Sequence, residues 1–217
     1  MSEEFNQNKL MEVLDWAYDK AVNGVPGFDS AEELGNDYLK GNAPLEDKVN
    51  ALIRWQNAKC ATSGFLSGLG GIITLPVSIP ANIASVMYVQ IRMIAAIAYM
   101  GGYDIRDDRV KTFVYMCLLG NGAKDIFKET VVNLGTKLSM QTIKSISGKV
   151  LTEINQKIGF RLITKFGEKG LINLGKMIPL VGALIMALLD SFSTDIIGNV
   201  ARDTFIDGSI VEVDNLA

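Results

Sequence analysis

The sequence predicts an all-α fold: a single compact domain of about seven helices. Three observations predict it. Apolar residues recur at spacings of three and four along most of the chain. Apolar and polar residues nowhere alternate as in a strand for more than a few positions, Ser209–Val213 being the best instance. One stretch, Cys60 to Tyr103, carries a single charge, Arg92, among its 44 residues. It also holds six glycines and two prolines, Pro76 and Pro80. That composition predicts a glycine-rich helix–Pro–helix hairpin (60–103) at the centre of the fold.

The elements follow in order. Residues 4–22 predict a helix with Leu10, Leu14, Ala17 and Ala21 on its buried stripe. It ends near Asn23-Gly24, before Val25-Pro26-Gly27. Residues 24–43 read as a loop with one short turn at Ser30–Leu34, where Ser30 caps and Glu33 lies three residues on. Pro44, a good first-turn residue, opens a helix with Glu46 and Asp47 near its positive end. Leu45, Val49, Leu52 and Ile53 form its apolar stripe, and it runs towards the hairpin. The reading therefore divides the chain into an acidic N-terminal helix and loop (1–43), a helical domain (44–207) and a tail (208–217).

Beyond the hairpin, Asp104–Arg109 is a charged connector. Residues 107–120 read as a helix with Val110, Phe113, Val114, Cys117 and Leu118 inward. Gly120-Asn121-Gly122 interrupts it, and a shorter helix covers 123–134. Residues 138–168 are helical, with breaks expected at Gly148 or Gly159. Ile154, Ile158, Leu162 and Phe166 form an apolar row there. Lys157, Arg161, Lys165 and Lys169 form a basic row beside it. A last apolar helix opens at Pro179.

Composition narrows the chemistry. The chain has 217 residues, 48% of them hydrophobic, and no histidine. That absence excludes Ser-His-Asp and Cys-His catalysis and the HExxH zinc sites. Cys60 and Cys117 lie 57 positions apart in apolar surroundings and read as buried free thiols, not a disulfide or a metal site. No basic and apolar leader precedes the first helix, so the expected compartment is the cytoplasm. The net charge is −3, unevenly spread. Residues 1–50 hold 4 basic and 11 acidic groups, and residues 137–176 hold 8 and 2.

Gly64, Gly68, Gly70 and Gly71 do not form a phosphate loop, because Ile72 stands where Lys-Ser/Thr would have to follow. Gly64-x-x-x-Gly68 suits close helix packing instead. As a helix, residues 60–75 would rise about 24 Å, short of a bilayer core of about 30 Å. Residues 81–103 reach about 34 Å, but Arg92 near their middle would cost at least ~2.5 kcal/mol in lipid. A buried guanidinium needs a partner. Asp190 is the favoured one, with Asp195 and Asp104 as alternatives. Snorkelling of Arg92 to the surface is the other reading.

Several spaced segments match a known pattern: SGFLSGLGGIITLPVSIP (63–80), QIRMIAAIA (90–98), GYDIRDDRVKTFVYMCLLG (102–120) and IPLVGALIMALLDSFSTDIIGNVARDTF (178–205). On these the chain resembles the EcsC protein family over residues 45–205. The resemblance implies a bacterial protein and supplies no catalytic residues.

The expectation is a non-enzymatic protein peripheral to the inner membrane, touching anionic lipid or a membrane protein. The basic row Lys157, Arg161, Lys165 and Lys169 would be its lipid-facing ladder. No cofactor, metal or nucleic acid is expected. Alternatives are an effector that inserts its 60–103 hairpin, an inhibitor acting through the acidic N-terminus, and an enzyme using Asp104, Asp107, Asp108 or Asp190.

Overall fold

The computed structural model describes residues 7–60, 81–131, 138–168 and 191–208. Among them are nine α-helices: α1 (Gln7–Asn23), α2 (Ala31–Leu39), α3 (Leu45–Cys60), α4 (Ala81–Met100), α5 (Asp108–Cys117), α6 (Ala123–Val131), α7 (Met140–Ser145), α8 (Gly148–Glu168) and α9 (Ser191–Arg202). A 3-10 turn, Gly120–Gly122, joins α5 to α6, and a π-helical turn, Asp203–Asp207, extends α9. No strand occurs among the described residues; the only β feature there is a single bridge, Val25 to Phe28. The all-α expectation holds.

α4 is the axis. Every residue from Val86 to Ala98 is buried, Gln90 and Arg92 included. A helix apolar on all sides must be wrapped on all sides, and α1, α2, α3, α5 and α9 all lie against it. The stripe Leu10, Leu14, Ala17 and Ala21 of α1 is fully buried. Residues 1–43 thus supply two helices, α1 and α2, that pack directly on the axis.

The count exceeds seven for two local reasons. Residues 31–39, expected as a single turn, form α2. Its start is the anticipated capping box: Glu33 N donates to Ser30 Oγ at 3.1 Å, and Ser30 N donates to Glu33 Oε2 at 2.8 Å. Those bonds hold the Glu33 carboxyl below its usual range. Packing extends the helix past Leu34, because Gly35 lets the Tyr99 ring and the Ala96 carbonyl approach. The second reason is a break at Ile146–Ser147, one residue before Gly148, which separates α7 from α8. Gly159 breaks nothing; it lies inside α8, where a side chain would collide with Gln7.

α3 holds its stripe with one exception. Val49, Leu52 and Ile53 are buried, whereas Leu45 is exposed at the first turn, before the helix reaches the core. Lys48 Nζ donates to the carbonyls of Leu39 and Gly41 at 2.7 and 2.8 Å, capping the end of α2. Two glycines set the closest approaches of the last element. Gly198 of α9 sits on Ile53 of α3, and Gly101, just past α4, sits on the Phe205 carbonyl. Cys117 is buried and free, its Sγ 3.7 Å from Thr204 Oγ1. Burial pushes its thiol up to about 12, so it is chemically quiet at neutral pH. No helix among the described residues is long and apolar enough to cross a membrane.

Candidate functional site

Two places carry chemistry that packing alone does not explain. The first is the outer face of α8. Ile154, Ile158 and Leu162 are buried, which turns Lys149, Glu153, Gln156, Phe160 and Thr164 outward. Phe160 is 68% exposed, the most exposed large hydrophobic among the described residues. It lines an open groove of about 460 Å³ with Glu153, Gln156, Lys157 and Arg161.

Of the basic row, Lys157 and Arg161 are half-buried. Arg161 Nη1 donates to Asp125 Oδ2 at 2.9 Å and to the Gly122 carbonyl at 3.2 Å. It therefore reaches across to the start of α6 as well as lining the groove. The side chain of Lys165, and Lys169 altogether, lie outside the described residues, as does the Phe166 side chain. Sequence periodicity identified the basic row but not the exposed Phe160 beside it. The available signal was a phenylalanine two positions off the Ile154–Ile158–Leu162 row.

The second place is Arg92. It is 3% exposed. Its Nη1 donates to the backbone carbonyl of Asp29 at 3.1 Å. Its guanidinium carbon lies 5.6 Å from the Tyr88 ring centroid and 5.9 Å from that of Phe28. Such cation–π contacts offset part of the desolvation cost. Nε is buried without a hydrogen-bond partner, and so is the Tyr88 hydroxyl one turn away. Burial raises the Tyr88 hydroxyl above its ordinary range, while the Arg92 charge pulls the other way. Arg92 does not snorkel. Asp190 lies outside the described residues. Asp104 accepts from Arg106 N at 2.9 Å, and Asp195 from Asn199 Nδ2 at 3.1 Å.

The remaining anticipated residues divide simply. Gly64, Gly68, Gly70, Gly71, Pro76 and Pro80 lie outside the described residues. Asp107 caps α5, its carboxylate accepting from Arg109 N at 2.8 Å. Asp104 closes the preceding turn and Asp108 occupies the first turn of α5. These are structural roles for carboxylates. Among the described residues no group of three or more His, Cys, Asp or Glu side chains could hold a metal ion.

An axial helix wrapped by α1, α2, α3, α5 and α9, with a buried arginine in it, defines a single-domain helical protein without a recognisable catalytic cluster among the described residues. The EcsC protein family model matches residues 15–206, so the chain belongs to that family. The match takes in the second half of α1 and all of α2, ahead of the residues 45–205 that carry the resemblance. A curated relative, "Uncharacterized protein YdbA" of Bacillus subtilis (strain 168), is 25% identical over 162 residues. Those residues cover 74% of this chain and 55% of the relative, so the chain spans about half of that protein's length. No solved structure matches.

Proposed function

We propose that this EcsC-family protein is a non-enzymatic, peripheral membrane-surface component on the cytoplasmic side, meeting anionic lipid through the outer face of α8. The observation that carries this reading is the exposure of Phe160 on a helix whose opposite row is buried in the core. An exposed aromatic among basic residues suits the boundary between headgroups and acyl chains. The charge of this stretch of sequence is complementary. Lys144 and Lys149 are exposed, and residues 137–176 hold 8 basic against 2 acidic groups.

Magnitudes say what kind of contact this would be. Burying Phe160 contributes about 2 kcal/mol. Each lysine near an anionic surface adds about 1 kcal/mol. A few such terms give millimolar to high-micromolar attachment, reversible and sensitive to salt.

Co-sedimentation with phosphatidylcholine vesicles, with and without phosphatidylglycerol, tests the reading. The expected result is recovery in the pellet only with the anionic lipid and only at low salt, with loss in Phe160→Glu and in Lys157→Glu. Equal recovery in the supernatant under all conditions would sink it.

A further inference from the structure

Arg92 is a cation inside the fold whose described partners are one backbone carbonyl and two aromatic faces. No carboxylate among the described residues lies within ion-pair distance of it. A buried guanidinium held this way is expensive unless something else answers its charge. The Tyr88 hydroxyl, also buried, has no well-formed hydrogen bond, and the polar group acting on it most is the Arg92 guanidinium itself. The two residues are four apart on α4, so their side chains occupy one face of the helix. Leucine at either place would remove the penalty, yet the chain holds a donor at each.

Over Arg92 the described cover is a single turn. Val25-Pro26-Gly27-Phe28 forms a turn closed by the Phe28 amide on the Val25 carbonyl at 2.9 Å, with Gly27 at φ +83°. Pro at the second position and a positive-φ glycine at the third make it a type II turn. Pro26, Gly27 and Asp29 are exposed, and nothing lies within 4 Å of where a Gly27 side chain would be. The Phe28 ring and the Asp29 carbonyl are what this turn lays on Arg92.

We propose that Arg92 and Tyr88 form a recognition site for one oxyanion, a carboxylate or phosphate group, roofed by the 25–29 turn. Nη1 is engaged by the Asp29 carbonyl, while Nε points along the edge that arginine uses for side-on pairing with an oxyanion. The Tyr88 hydroxyl supplies a further donor. Lifting the turn admits the anion, and its arrival supplies a negative charge that no described carboxylate gives the guanidinium. The site is independent of α8.

Thermal unfolding followed by circular dichroism tests this with sodium phosphate and sodium acetate, each against sodium chloride at matched ionic strength. Wild-type protein should show a saturable rise in Tm with at least one of the two anions, and which one identifies the group. Tyr88→Phe removes only the hydroxyl. It should cut the anion-dependent rise by half or more. Arg92→Lys should also cut that rise, and if it does not fold, Tyr88→Phe carries the test. Lys157→Glu should leave the rise intact. The proposal is overturned if neither anion raises Tm, if Tyr88→Phe keeps the full rise, or if Lys157→Glu abolishes the rise.

Discussion

The Tyr115 hydroxyl donates to Asp15 Oδ1 at 2.8 Å, and Lys111 Nζ lies 2.6 Å from the same oxygen. One carboxylate on α1 thus gathers two side chains of α5 that are four residues apart. Tyr18, on α1, completes the group. Its ring stands edge-on to Tyr115 at 5.7 Å, and its hydroxyl donates to the Ile105 carbonyl at 2.7 Å. Replacing Tyr115 by Phe should lower stability by about 1 kcal/mol in urea unfolding, the usual net value of such a bond. Burial is the main reason that both hydroxyls titrate above the ordinary tyrosine range, with nearby carboxylates adding to it. The fold then holds protons that the unfolded chain releases above about pH 10, so stability is full below that value and declines above it. Between about pH 9 and about pH 11 the wild type should lose more stability than Tyr115→Phe. Parallel losses would show that Tyr115 does not carry the effect.

Gly101 should tolerate nothing larger. A Cβ there would run into the Phe205 carbonyl, which is backbone and has no rotamer to give. Gly101→Ala should destabilise by about 1–3 kcal/mol, as overpacking does. A midpoint unchanged in urea would mean that the π-helical turn shifts freely away from α4.

Gln56 should be replaceable at a gain. Both atoms of its amide are buried and unpartnered, and the residue is 0% exposed. Thr194 Oγ1 on α9 is likewise buried without a partner. α3 and α9 run antiparallel, with Arg202 bonded to Asn50 at 2.8 Å and Gly198 on Ile53, which brings Thr194 level with Gln56. Methionine matches glutamine in shape and lacks the amide. Gln56→Met should stabilise by about 1–3 kcal/mol, the cost of an unmet buried group. A fall in stability would reveal that the amide has a partner in solution.

What the sequence made legible follows from what each pattern encodes. Periodicity encodes a face, so the stripe of α1, the inward row of α5 and that of α8 as far as Leu162 were readable residue by residue. The Ser30–Glu33 capping box was readable because both partners lie within four positions. The length of α2 was not, since Ala31–Leu39 contains Gly35 and Asn36 and its helix depends on Tyr99, 64 positions away from Gly35. Arg92 shows a different limit. Its acceptor among the described residues is the Asp29 carbonyl, a group that every residue possesses and that no letter of a sequence marks. Spacing alone puts Arg161 in a row with Lys157. Only the approach of α6, bringing Asp125 and the Gly122 carbonyl, decides where its head goes.

The enclosure of α4 has a kinetic meaning. A segment with five helices around it has no side from which to peel away, so residues 86–98 cannot be presented to a bilayer by a hinge or a local opening. Releasing them means dismantling the domain, at a cost near its whole folding free energy of about 5–15 kcal/mol. Whatever the folded protein meets, it therefore meets with α4 held in place as a fixed keel.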